Sequence, residues 1–123
     1  YAPYSRFRVG AALRLASGQM VTGSNQENAA FPSGLCAERV AVFSAGATFP
    51  NETITDLAIT VRAESHEVTE AIAPCGACRQ SLAEYEQKQK SPINIYFMGE
   101  TGDIIKVASV MDLLPLGFDA KYL

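Results

Sequence analysis

The chain has 123 residues and a net charge of −3, with 48% hydrophobic and 19% charged residues. That is enough for one domain around one core. Its ten basic residues (Arg6, Arg8, Arg14, Arg39, Arg62, Arg79, Lys88, Lys90, Lys106 and Lys121) form no stripe, which argues against a nucleic-acid backbone as partner. Apolar runs reach about five residues, far short of the roughly 20 of a membrane helix. The odd count of three cysteines fits metal-bound thiolates in a reducing compartment better than a disulfide scaffold. No basic-then-apolar leader opens the chain, so a cytoplasmic protein is expected.

In chain order, Tyr1 to Arg8 contains Pro3 and reads as an irregular lead-in. Val9 to Leu15 is small and apolar, and Met20 to Ser24 alternates, so the Gly18 turn between them predicts a β-hairpin. Phe31-Pro32-Ser33-Gly34 breaks the chain. Cys36 to Ala47 then reads as a central buried helix, apolar on most sides, ended by Gly46 and Pro50. Leu57 to Val61 predicts a strand and Arg62 to Glu70 a polar loop. Gly76 to Lys90 predicts a helix, with Cys78, Leu82 and Tyr85 on one face. Ile93 to Met98 and Ile104 to Ala108 read as strands around a turn, and Asp112 to Leu114 as one helical turn. The order ββαβαββ implies an α/β fold: a three-layer sandwich with a mixed sheet of about five strands, in a single domain over residues 1–123.

The cysteines carry the chemistry. Cys75 and Cys78 have the two-residue gap that lets both sulfurs reach one ion from a helix start, and Cys36 also precedes a helix. Helix N-termini favour thiolates there. Arg39 and Arg79 flank the sulfurs and could offset their charge by hydrogen bonding. Taken alone, Cys75-x-x-Cys78 reads equally as a redox dithiol, and Glu38 as an exposed first-turn glutamate. A closed structural zinc needs a fourth ligand, and the one His, His66, sits in a charged loop that reads as solvated. Three cysteines with Glu38 two residues after Cys36 therefore favour an open, catalytic zinc site.

Cys36-Ala37-Glu38-Arg39 together with Pro74-Cys75-Gly76-Ala77-Cys78-Arg79-Gln80 resembles cytidine deaminase in its small, three-cysteine, homotetrameric form. Tyr4-Ser5-Arg6-Phe7-Arg8-Val9-Gly10-Ala11-Ala12-Leu13 looks like the family's N-terminal motif. Asn25-Gln26-Glu27-Asn28-Ala29 looks like its nucleoside motif, and Leu114-Pro115 with Phe118 like its C-terminal segment. The resemblance implies one Zn²⁺ per subunit on Cys36, Cys75 and Cys78, with Glu38 shuttling protons. It implies that Asn25 and Glu27 hold the ribose 3′-hydroxyl and that Phe7 packs on the pyrimidine. Phe118 of a neighbouring subunit would pack there too, the backbone around Ala37 would contact the base, and Arg39 would hydrogen-bond ligand sulfurs. The implied activity is hydrolytic deamination of cytidine and 2′-deoxycytidine with release of ammonia, in pyrimidine salvage. The implied assembly is a homotetramer with active sites at subunit interfaces, acting on a small nucleoside, with no nucleic-acid or membrane partner. Three features depart from the family pattern: no helix precedes Tyr1, Phe31 replaces a frequent tyrosine, and Gly117-Phe118-Asp119 is unusual. Alternatives are a zinc deaminase for another cytosine-containing small molecule, a non-enzymatic structural-zinc protein, and a thiol redox protein.

Overall fold

The computed structural model describes residues 1–123. Strands β1 (Phe7–Leu15) and β2 (Met20–Ser24) form the hairpin. Helix α1 (Ala37–Thr48) follows, then β3 (Ile54–Ala63), helix α2 (Gly76–Gln89), β4 (Asn94–Phe97) and β5 (Ile105–Val107). The ββαβαββ order is the one expected, and the five strands form one mixed sheet in the order β2-β1-β3-β4-β5. Only β3 and β4 run parallel, across the α2 connection; the other neighbours are antiparallel.

One sheet face carries the core. Ala11, Leu13 and Leu15 of β1 alternate with the half-buried Ala12 and exposed Arg14, and Leu57, Ile59 and Val61 of β3 alternate with exposed positions. Ile95 and Phe97 of β4 join them, and both helices lie on this face through Ala37, Ala41, Val42, Ala45, Leu82 and Ala83. Ala58, Thr60 and Arg62 point to the opposite, exposed face. Strand β2 and helix α1 approach closely. A Cβ on Gly23 would stand 2.6 Å from the Ala37 carbonyl oxygen and 2.7 Å from the Ala41 nitrogen. Glycine at position 23 is what lets the helix start settle on the hairpin.

Several boundaries differ from the sequence expectation. β1 begins at Phe7, inside the expected lead-in, and β3 runs from Ile54 to Ala63, so Arg62 belongs to the sheet rather than to a loop. The cross-strand register explains both: Arg8 pairs with Arg62 and Phe7 with Ala63. These pairs extend the ladder where one face is already solvent-exposed and hydrophobic alternation fades. Helix α1 is not buried all round, because Phe43 is 41% exposed and Ser44 and Ala47 are exposed beside it. The C-terminal helical turn is a 3-10 turn over Val110–Asp112, two residues earlier than expected.

Candidate metal centre and active-site cleft

Both helices begin on a cysteine. Cys36 is the N-cap of α1 and Cys75 the N-cap of α2, each in extended backbone conformation with no side-chain cap bond. Ser, Thr, Asp or Asn would stabilise these ends better, so the sequence gives up capping energy at both to present sulfur. Cys78 lies within the first turn of α2 and is fully buried. The three sulfurs fall within 4.8 Å of one another, and Sγ of Cys36 is 3.8 Å from Sγ of Cys75. Tetrahedral zinc with Zn–S bonds of ~2.3 Å separates its sulfurs by ~3.8 Å. No His, Asp or Glu completes the cluster, and His66 is exposed and bonded through Nδ1 to Ser65.

The electrostatics of the cluster also ask for a cation. Burial pushes the Cys36 thiol up, with the neighbouring Cys75 charge adding to it against a lowering hydrogen bond from Arg39. Burial pushes Cys78 up strongly, reinforced by the negative charges of Glu38 and Cys36. At Cys75 burial also raises the thiol pKa, but backbone N–H groups of Cys78 and Ala77 and the other two thiols outweigh it, and the net direction is down. Of the three thiols, Cys75 therefore gives up its proton most readily. Three thiolates side by side require a divalent ion to offset their repulsion.

Arg39 and Arg79 part ways. Nη2 of Arg39 points at Cys36 Sγ from 3.9 Å, and its buried Nε has no partner in the chain. The Cys36 sulfur holds the guanidinium charge more firmly. Arg79, expected beside the sulfurs, instead donates through Nε to the Pro74 carbonyl at 2.7 Å and through Nη1 to the Leu113 carbonyl at 2.8 Å. Gln80 donates to the Phe118 carbonyl at 3.0 Å. The turn that supplies two sulfurs thus also anchors the C-terminal segment.

A cleft of about 730 Å³ opens over the sulfurs. Cys36, Cys75, Glu38 and Arg39 are part of its lining. Glu38 is 5% exposed, and none of the chain's side-chain hydrogen bonds engages its carboxylate. Phe7, Val9, Ile59, Val61 and Ile72 make an apolar wall, and Asn25 and Glu27 add polar groups to the lining. Asn25 accepts the Val9 N–H at Oδ1 and donates from Nδ2 to the Phe7 carbonyl, both at 2.8 Å, continuing the ladder of β1 with a side chain. Glu27 accepts from the Tyr4 amide at 2.8 Å and from the amide and hydroxyl of Ser5. These bonds, the Ser5 hydroxyl foremost, hold its carboxyl below the usual glutamate range against an opposing effect of desolvation. Phe31 sits at the rim, edge-on to Tyr4 with ring centroids 5.7 Å apart.

Two residues singled out in the sequence are not on the cleft wall. Ala37 is fully buried under β2, between its cleft-lining neighbours. Phe118 is 57% exposed, stacks on Tyr122 and lies outside the cleft of its own chain. Conversely, Ser5, Ile59, Val61 and Ile72 line the cleft, although their sequence context gives none of them a role there. The register Val9–Val61 and Ala11–Ile59 puts Ile59 and Val61 on the face that carries Phe7 and Val9. Period-2 alternation reveals that face only once the strand pairing is known.

Residues 1–91 match the family model described as the cytidine and deoxycytidylate deaminase zinc-binding region. The cytidine deaminase of Halalkalibacterium halodurans is 39% identical over 121 residues, covering 98% of this chain and 84% of the relative. That of Mycobacterium tuberculosis is 33% identical over 115 residues, 94% and 82% of the two chains. Among solved structures, cytidine deaminase from Burkholderia pseudomallei superposes with a TM-score of 0.82 at 39% identity, covering 96% of this chain and 87% of that one. The M. tuberculosis structure gives 0.71 at 32% identity, with 97% and 85% covered.

Proposed function

The chain belongs to the cytidine and deoxycytidylate deaminase family, and from that premise we propose that it hydrolyses cytidine and 2′-deoxycytidine to the uracil nucleosides and ammonia. The observation that carries the reading is an unpaired, buried carboxylate, Glu38, beside three clustered sulfurs at a nucleoside-sized cleft. Cys36, Cys75 and Cys78 would hold zinc, which supplies a Lewis acid that makes water nucleophilic near neutral pH.

The remaining work falls to the protein. Glu38 accepts a proton from the attacking water and delivers it to N3 of the ring, the acid–base role of the non-ligand glutamate in zinc deaminases. Once the water oxygen has bonded to C4, Glu38 takes the proton left on that oxygen and passes it to the exocyclic amine, whose C4–N bond breaks as the C4 carbonyl forms. The balance is one water in, one carbonyl and one ammonia out. Phe7 and the Ile59–Val61 wall exclude water and support the flat ring. Asn25 and Glu27 receive the sugar, and Arg39 offsets thiolate charge at Cys36.

The test is ultraviolet-monitored cytidine loss, with zinc measured on the same sample. Glu38→Gln should retain a full complement of zinc while turnover drops by ~10²–10⁴, the usual worth of positioned acid–base catalysis. Uridine formation near the parent rate would sink the assignment.

We also propose a homotetramer that brings the exposed Phe118 of one subunit to the cleft of another, in a reducing cytoplasm that suits three unpaired cysteines. A monomer by sedimentation at assay concentration, fully active, would contradict the shared site.

A further inference from the structure

Ser5 stands at the mouth of the cleft, on the segment leading into β1. Its hydroxyl donates to Oε1 of Glu27 and accepts the Phe7 N–H at 3.1 Å. Its own amide donates to both carboxylate oxygens, at 3.3 and 3.2 Å, and the Tyr4 amide donates to Oε2 at 2.8 Å. Three donor groups, one of them shared between the two oxygens, thus make four contacts on a carboxylate that offers about four lone-pair sites and no proton of its own. The shared Ser5 amide makes the longest of these contacts, at 3.3 and 3.2 Å, and is the one a ligand donor can displace; the carboxylate can only accept, and Glu27 lines the cleft. A hydroxyl on the ligand is the matching donor.

We infer that Ser5 is a positioning residue for sugar recognition. It holds the Glu27 carboxylate where it can accept from the 3′-hydroxyl of a cytosine nucleoside, and through the Phe7 amide it fixes how far that acceptor stands from the wall that supports the base. The Ser5 oxygen is the one atom bonded both to the sugar acceptor and to the backbone of the ring-packing residue. The inference rests on Glu27 being the sugar acceptor.

Steady-state kinetics of the zinc-loaded protein on cytidine and 3′-deoxycytidine provide the test, with Ser5→Ala, Ser5→Thr and Glu27→Gln compared to the parent. Ser5→Ala should raise KM for cytidine about tenfold and keep kcat within about twofold, the pattern expected when ground and transition states are weakened equally. Its KM for 3′-deoxycytidine should stay at the parent value, and Ser5→Thr, which keeps the hydroxyl, should match the parent on both substrates. An equal rise for the two substrates overturns the inference, since a merely structural role would weaken them alike. An unchanged cytidine KM in Ser5→Ala beside an impaired Glu27→Gln overturns it too, and leaves the sugar reading standing. If Glu27→Gln itself leaves KM unmoved, the sugar reading fails and the inference goes with it. Should Ser5→Ala not fold, a folded Ser5→Thr with a raised cytidine KM is sufficient to reject it.

Discussion

Two glutamates, Glu38 and Glu86, are buried in this chain, and their surroundings set them apart. The Glu86 carboxylate accepts the Ile93 amide at 2.8 Å, the Val110 amide at 2.9 Å and the Ser109 hydroxyl, tying the end of α2 to β4 and to the C-terminal turn. Removing it strands buried donors, so Glu86→Ala should lose about 2–4 kcal/mol of stability in denaturant titration while zinc still binds. A loss below ~0.5 kcal/mol would show that those bonds contribute little. Glu38 has no such partners, and its replacement should affect turnover far more than folding. The sequence separates the two only in part. The spacing from Cys36 marks Glu38, whereas nothing local marks Glu86, because its partners lie 7 to 24 residues further along the chain. Ser5 is hidden for the same reason: its partner Glu27 is 22 residues away.

Elements are legible in the sequence where one face meets the core and the other meets solvent. Met20–Ser24 and the start of α2 at Gly76 follow directly from alternation and from the Pro74-Cys75-Gly76 break. Strand β3 is longer than its apolar run suggests, because Thr55 and Asp56 face away from the helices and interrupt that run, although Ile54 before them is buried. Gly23 in β2 carries no local signal at all, since its meaning lies in the helix packed against it. Its replacement by alanine sets a methyl against backbone atoms of Ala37 and Ala41, which cannot yield by a rotamer change. Gly23→Ala should cost about 1–3 kcal/mol by overpacking. It should also push the first turn of α1 outward, carrying Cys36 and Glu38 with it, and so lower both zinc affinity and kcat. Wild-type zinc affinity in a folded Gly23→Ala protein would show that the helix start does not depend on this close approach.

At the scale of the whole molecule, 16 buried residues form one core cluster spanning both ends of the chain, from Ala11 to Val110. The sheet comes to rest with its cleft where α1 and α2 both begin, which is why residues 36, 75 and 78 can meet despite their separation in sequence. Motif spacing exposes that meeting; the apolar wall and the tail's position need the three-dimensional pairing. The first turn of α2 holds two metal-binding sulfurs and, through Arg79 and Gln80, the carbonyls of Leu113 and Phe118. That shared anchor predicts that the metal site and the tail open locally as one unit. Chelating zinc should make the stretch after Leu113 the first to be clipped by a protease and the first to lose amide protection. The parent should protect it, and Arg79→Gln should expose it even with zinc in place. Equal clipping of the loaded and stripped proteins would show that the two are independent. If they are linked, the last ten residues act as an indicator of metal loading, so that an empty protein is marked for degradation before its core has unfolded.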